Sequence, residues 1–178
     1  MKAKWIIVLG CILALCSGCK VLSLFTQFDL AYNSTVVVPS SINRTLPFDI
    51  PTPEIQTNSE SHFSVNQTQS NLIEEISLKE LGVNLKSPES GDFSFLNEIR
   101  VFIVTKGLPD KEIAWLTNIP DTIGKELQLN VTQENVMDYI KQESFSLRVR
   151  VTTDKLITVD HEIDIRAVLH VDAKIFGL

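Results

Sequence analysis

The residue best placed for chemistry is a thiol. Cys19 closes the run Cys16-Ser17-Gly18-Cys19, behind an almost unbroken apolar stretch from Trp5 to Leu15 and the two lysines Lys2 and Lys4. A positive front, a short apolar core and a small-residue end form the layout of a secretory signal peptide. All three cysteines, Cys11, Cys16 and Cys19, lie in this segment. Cleavage before Cys19 leaves a body with a single thiol, so no intrachain disulfide forms and the fold rests on packing. Elsewhere the residue types are present but the spacings that make chemistry are not. His161 and His170 take opposite parities of one expected strand and His62 stands alone, so no pair has the spacing of metal ligands. The glycines match neither a Walker nor a dinucleotide pattern. There is no Gly-x-Ser-x-Gly elbow, and Glu74-Glu75 would point to opposite faces of a strand. No metal, cofactor or catalytic activity is expected.

The four closing residues resemble the lipobox of bacterial lipoproteins, in which a small residue precedes a cysteine that becomes lipidated and N-terminal. Cys16 stands where the usual lipobox carries leucine. A second frame, Leu13-Ala14-Leu15-Cys16, keeps the leucine but sets bulky Leu15 beside the scissile bond. The resemblance implies a signal peptide over 1–18, lipidation at Cys19, an anchor and short tether over 19–33 running into the first strand, and a body over 34–178. It also implies three acyl chains, palmitate among them, and attachment to a membrane through them. One chain alone binds reversibly, at about 0.8 kcal/mol per buried CH₂. As a permanent helix the apolar run is short of the ~20 residues that span a bilayer. Lys20-Val21-Leu22-Ser23-Leu24 lacks the acidic signal that carries some lipoproteins of Bacteroidota-type bacteria to the cell surface. The outer membrane, facing the periplasm, is therefore the expected location.

Charge narrows the partners. The formal net charge is −6, and losing Lys2 and Lys4 leaves 14 basic against 22 acidic residues, or −8. An acidic body has no electrostatic reason to hold a phosphate backbone, so no nucleic-acid partner is expected. A glycan or another envelope protein remains open as a partner.

The elements that must position any site follow from periodicity. Phe28, Leu30 and Tyr32 alternate with polar or small neighbours, and Thr35-Val36-Val37-Val38 is β-branched up to Pro39, with Asn33-Ser34 as a turn or bulge between the two. Prolines at 39, 47, 51 and 53 suggest extended segments, with strands near 46–50 and 60–67. An exposed apolar edge near 46–67 would suit a subunit of a larger assembly. The apolar positions Ile76, Leu78, Leu81, Val83 and Leu85 slip one place after Leu78, which reads as a bulge beside Gly82, while a helix over 72–81 also fits the spacing. Strands follow over 99–105 and 112–117, the latter with Trp115 facing the core, and alternation resumes over 126–131. Thr132 reads as the N-cap of the one expected helix, 133–142. Two long alternating runs, 145–152 and 157–173, read as a hairpin with Arg148 opposite Asp160 and Arg150 opposite Thr158. The sum is an all-β, antiparallel sandwich of about eight to nine strands and one short helix.

Two further patterns complete the reading. Asp121-Thr122-Ile123 resembles the Asp-Ser/Thr-aliphatic acceptor of O-glycosylation in Bacteroidota-type bacteria, which would make Thr122 a modification site. Asn33, Asn43, Asn66 and Asn130 begin Asn-x-Ser/Thr sequons, read as incidental. Leu46-Pro47-Phe48-Asp49-Ile50-Pro51, Leu72-Ile73-Glu74-Glu75-Ile76 and Tyr139-Ile140-Lys141 resemble small β-sandwich lipoproteins of that lineage. That resemblance implies a structural or binding role in the cell envelope, with carbohydrate binding or glycan processing as the alternative.

Overall fold

The computed structural model describes residues 26–40 and 47–174. The expected signal peptide over 1–18 and Cys19 lie outside these residues. Ten strands are present among them: β1 (Gln27–Val38), β2 (Phe48–Pro51), β3 (Ile55–Gln56), β4 (Ile73–Ser87), β5 (Leu96–Val104), β6 (Lys111–Thr117), β7 (Glu126–Gln128), β8 (Asn130–Val131), β9 (Ser144–Thr153) and β10 (His161–Ala173). They form two antiparallel sheets. The first runs β1-β10-β4-β7, and the second runs β2-β9-β5-β6-β8 with β3 also on β9. One face of each sheet is apolar and the two bury those faces against each other, the arrangement of an all-β sandwich. Each fully buried Val, Leu, Ile or Phe contributes about 1.5–3 kcal/mol.

In the first sheet the alternation is faithful to the sequence. β1 is one unbroken strand, in continuous register from Gln27↔Asp172 to Val38↔His161, with neither turn nor bulge at Asn33-Ser34. It starts within the stretch read as tether, so only residues 20–26 separate Cys19 from the sheet. In β10, Ile163, Ile165, Ala167, Leu169, Val171 and Ala173 face the core, as their shared parity requires. β4 is a strand throughout. Its register slips between Leu78 and Glu80 opposite Leu169 and Val168, which keeps both Leu78 and Leu81 buried. The extra residue is Lys79; Gly82 stands in regular pairing beyond it.

The hairpin expectation is wrong. β9 belongs to the second sheet and β10 to the first. Residues 154–160 cross between them, with Ile157 buried and Leu156 and Val159 exposed. Both edges of β9 are occupied, by β5 on one side and by β2 and β3 on the other. Two strands with one dry face each can meet across a core as well as side by side, and alternation does not choose between these. Arg148 and Arg150 accordingly pair not with residues near 160 but with Asp49 on β2.

Three smaller expectations also change. Residues 60–67 are not a strand: Ser59–Val65 is a helix, α1, whose buried residues Ser59 and Phe63 are four apart, while Val65 is 79% exposed. The expected helix 133–142 contracts to α2 (Met137–Ile140). Thr132 does not cap it, because the helix begins only at Met137 and the Thr132 hydroxyl donates to the Glu112 carbonyl at 3.4 Å; Asn135 Oδ1 accepts from the Met137 N–H at 2.9 Å instead. Trp115 does not face the core. A register slip opposite Val101 and Phe102 turns both Ile113 and Ala114 inward, which throws Trp115 onto the outer face, half-buried across from Arg100 and Asn130. The run 126–131, continuous in sequence, changes sheets at Leu129, with β7 on β4 and β8 on β6.

Candidate functional site

The two outer faces of the sandwich differ in kind. On the second sheet every arginine is matched. Asp49 accepts from Arg150 Nε at 2.7 Å and from Arg148 Nη1 at 2.9 Å, and Asp110 takes Arg148 at 3.0 Å. Arg100 lies between Glu98 and Glu112. The guanidinium carbons of Arg148 and Arg150 stack over the Phe102 ring, 4.2 and 5.3 Å from its centroid. This is a closed network of cross-strand pairs, which stabilises a sheet and leaves little charge to offer a ligand.

The hydrogen bond from Arg150 holds the Asp49 carboxyl below its ordinary value, with Arg148 adding to it against the opposing effect of burial. The folded value is thus depressed below the unfolded one, about 3.9. The stabilisation is complete above that unfolded value and is lost as pH falls through the folded one. The pair is partly exposed, so Asp49→Ala is expected to lower stability by no more than about 1 kcal/mol at neutral pH. In urea unfolding the gap between variant and parent should narrow on acidification. A gap that widens in acid would contradict the assignment.

The outer face of the first sheet holds a trough of about 760 Å³ across all four strands. Its geometry follows from the register. Asn33, Arg166, Gly82 and Gln128 form one cross-strand row, and Thr35, Asp164, Asn84 and Glu126 form the next. Strand spacing makes the trough about 14 Å wide, and rows two residues apart lie about 7 Å from each other. The depression exists because Gly82 carries no side chain at an outward position in the middle of the sheet. A Cβ built there would meet Gln128 Oε1 at 3.3 Å, so Gln128 leans over the glycine. A strand-interior glycine in regular pairing is the kind that admits close approach by another molecule.

The side chains around this floor are largely uncommitted. Thr35 Oγ1 donates to Asp164 Oδ1 at 2.7 Å. Among the described residues, the side chains of Asn33, Asn84, Glu126, Gln128 and Arg166 make no hydrogen bond or ion pair within the chain, and Asn84, Glu126, Gln128 and Arg166 are exposed. The arrangement presents three amides, one guanidinium, two carboxylates and a hydroxyl around an open floor whose exposed surface is more apolar than polar. Asp164 and Glu126 stand two strands apart, about 9–10 Å between backbones. Asp164 is half-buried and Glu126 is exposed.

The residues singled out from the sequence fall elsewhere. Cys19 lies outside the described residues. Thr122 is exposed in the turn between β6 and β7, beside Asp121, whose carboxylate pairs with Lys155 at 2.9 Å. His161 is buried at the core margin, its ring 4.4 Å from that of Phe95 and its Nδ1 2.8 Å from the Val159 carbonyl. His170 pairs with Asp29 at 2.9 Å, and His62 packs edge-on to Tyr32. Among the described residues no three His, Cys, Asp or Glu gather where a metal could bind, and no helix is long and apolar enough to cross a membrane. The segment near 46–67 is not an exposed apolar edge: Phe48, Ile50 and Ile55 pack against the core and Val65 alone stands out. The trough residues were missed because each is an ordinary polar residue on a wet strand face. The one signal available was Gly82, which the sequence reading absorbed into the neighbouring bulge.

No known protein family matches the sequence, and no curated protein matches it. Among solved structures, a chain of desmodium yellow mottle tymovirus aligns with 85% of this chain and 91% of its own, at 8% identity and a TM-score of 0.28. A likeness that slight carries no argument about function.

Proposed function

We propose that this chain is a lipid-anchored, non-catalytic β-sandwich module of a bacterial cell envelope, attached through Cys19 and working by binding. The observation that carries the anchor is the layout of residues 1–19, a positive front, an apolar core and small residues before a cysteine, in a chain with no other thiol in its body. The resemblance to bacterial lipoproteins of the Bacteroidota type supports a place on the periplasmic side of the outer membrane. Since β1 begins at Gln27, the seven tether residues 20–26 reach at most about 25 Å, which holds the sandwich close to the bilayer. The trough over Gly82 supports binding over a purely structural role, because most of its polar side chains make no hydrogen bond or ion pair among the described residues, whereas Arg100, Arg148 and Arg150 of the opposite face are all paired.

Metabolic labelling with an alkynyl fatty acid tests the anchor. The parent chain should label and fractionate with membranes, and Cys19→Ala should lose the label entirely and appear as a soluble or uncleaved form. Undiminished labelling of Cys19→Ala would refute it. The Asp121-Thr122-Ile123 turn makes a separate, smaller prediction: if Thr122 is glycosylated, Thr122→Ala removes one discrete glycan mass from the intact protein without shifting its melting temperature.

A further inference from the structure

We propose that the trough over Gly82 binds a hydroxyl-rich glycan carrying a carboxylate, with Arg166 as its counter-charge. The inference rests on the reading of this face as a binding surface and names what it binds. Three features point to this class. First, the trough is open and four strands wide, and at its floor only the flexible end of the Gln128 side chain stands over Gly82, so a rigid ring that displaces it reaches the backbone. Second, the groups around the floor are those that recognise adjacent hydroxyls. Asn33, Asn84 and Gln128 each offer an amide with both donors and an acceptor, and the carboxylates of Asp164 and Glu126 accept from hydroxyls in pairs. An extended peptide would instead need a sheet edge for its main chain, and this bed lies on a sheet face. Third, Arg166 is the trough's only cation and has no carboxylate partner among the described residues, whereas Arg100, Arg148 and Arg150 on the other sheet are all paired. A guanidinium matches a carboxylate in a two-pronged fork, so an acidic sugar supplies what the fold withholds.

The same reasoning limits the charge the ligand can carry. Asp164 and Glu126 flank Arg166 in the neighbouring row, so a densely anionic polymer is repelled and widely spaced carboxylates are favoured. No aromatic side chain lines the trough. The part of the affinity that comes from the Arg166 ion pair falls with added salt.

The test uses the full chain in detergent micelles, isotope-labelled and followed by amide chemical shifts. The acidic probe is a tetrasaccharide of alternating glucuronate and N-acetylglucosamine, and the neutral probe is chitotetraose. The acidic probe should shift the amides of Asn33, Gly82, Asn84, Gln128 and Arg166 while leaving those of Phe102 and Trp115 in place. Arg166→Gln should weaken it at least tenfold and leave chitotetraose unchanged. Gly82→Phe should abolish the shifts by filling the floor. Gln128→Ala, at an exposed position that leaves the backbone untouched, should weaken binding severalfold, which guards against a folding defect in the glycine variant. Equal affinity of parent and Arg166→Gln for the acidic probe would overturn the carboxylate assignment, and shifts on the second sheet, or none with either probe, would overturn the site. Both results leave the acyl-labelling test untouched, so failure here is distinct from failure of the anchor.

Discussion

Phe63→Ala is expected to lower the unfolding free energy by about 3–5 kcal/mol, as truncation of a buried aromatic does when the cavity cannot collapse. Phe63 is 1% exposed and is the only large apolar side chain that α1 sends into the core. Its ring meets Phe28 edge-on at 6.4 Å, and its carbonyl receives the Thr68 N–H at 2.9 Å as the chain leaves the helix. A helix of seven residues has no stability of its own, so its place depends on this anchor. Val65 gives the control. In a strand, residues 63 and 65 would share a face and cost similar amounts; in the helix Val65 points to water. Val65→Ala should therefore change stability by less than about 0.5 kcal/mol. Urea unfolding of the two variants decides it, and comparable losses would mean that this stretch is not helical.

The second large effect belongs to a threonine standing in for a strand. Between Pro51 and Pro53, Thr52 has its N–H on the Leu147 carbonyl at 2.7 Å, while its Oγ1 accepts from the Leu147 N–H at 2.8 Å and donates to the Pro53 carbonyl at 2.9 Å. The hydroxyl oxygen thus takes the Leu147 N–H that a partner strand's carbonyl would otherwise accept, and so completes the pairing of β9 just past the end of β2. Thr52 is 6% exposed, so water cannot take over. Thr52→Val keeps the shape and leaves a buried N–H with nothing to bond, at a cost of about 1–3 kcal/mol. Thr52→Ser keeps the hydroxyl and should recover most of that. If the valine variant matches the parent in thermal unfolding, the Leu147 N–H has another partner and the account fails.

Tyr32 shows the same economy at the same end of the sandwich. Its hydroxyl donates to the Thr57 carbonyl at 2.7 Å, its ring lies 5.2 Å from that of Phe145, and burial pushes its phenol up to about 12. Thr57 in turn donates its Oγ1 to the Gln142 carbonyl at 2.6 Å. A short, proline-punctuated segment with few strand hydrogen bonds is thus tied down by side-chain hydroxyls. This explains why 47–58, the least regular stretch of the described sequence, still packs against the core.

What the amino-acid order determined by itself is which side of each residue is dry. Ile163 to Ala173 and Phe145 to Val151 alternate with period two, as does Ile76 to Leu85 on either side of its slip, and that period places side chains on faces whatever the neighbours are. The all-β class, the bulge after Leu78 and the interior position of His161 all follow from it. Only the tertiary structure decided which strand lies beside which. β9 and β10 read as a hairpin and stand in opposite sheets; Leu129 sits mid-run and is where the chain changes layers; one inserted residue at Ile113 and Ala114 sends Trp115 outward. Apolar burial has no direction within the plane of a sheet, so lateral neighbours are chosen by the closure of the whole core. The trough depends wholly on that choice, since Asn33, Gly82, Gln128 and Arg166 are scattered along the chain and become one surface only when four strands fall into register.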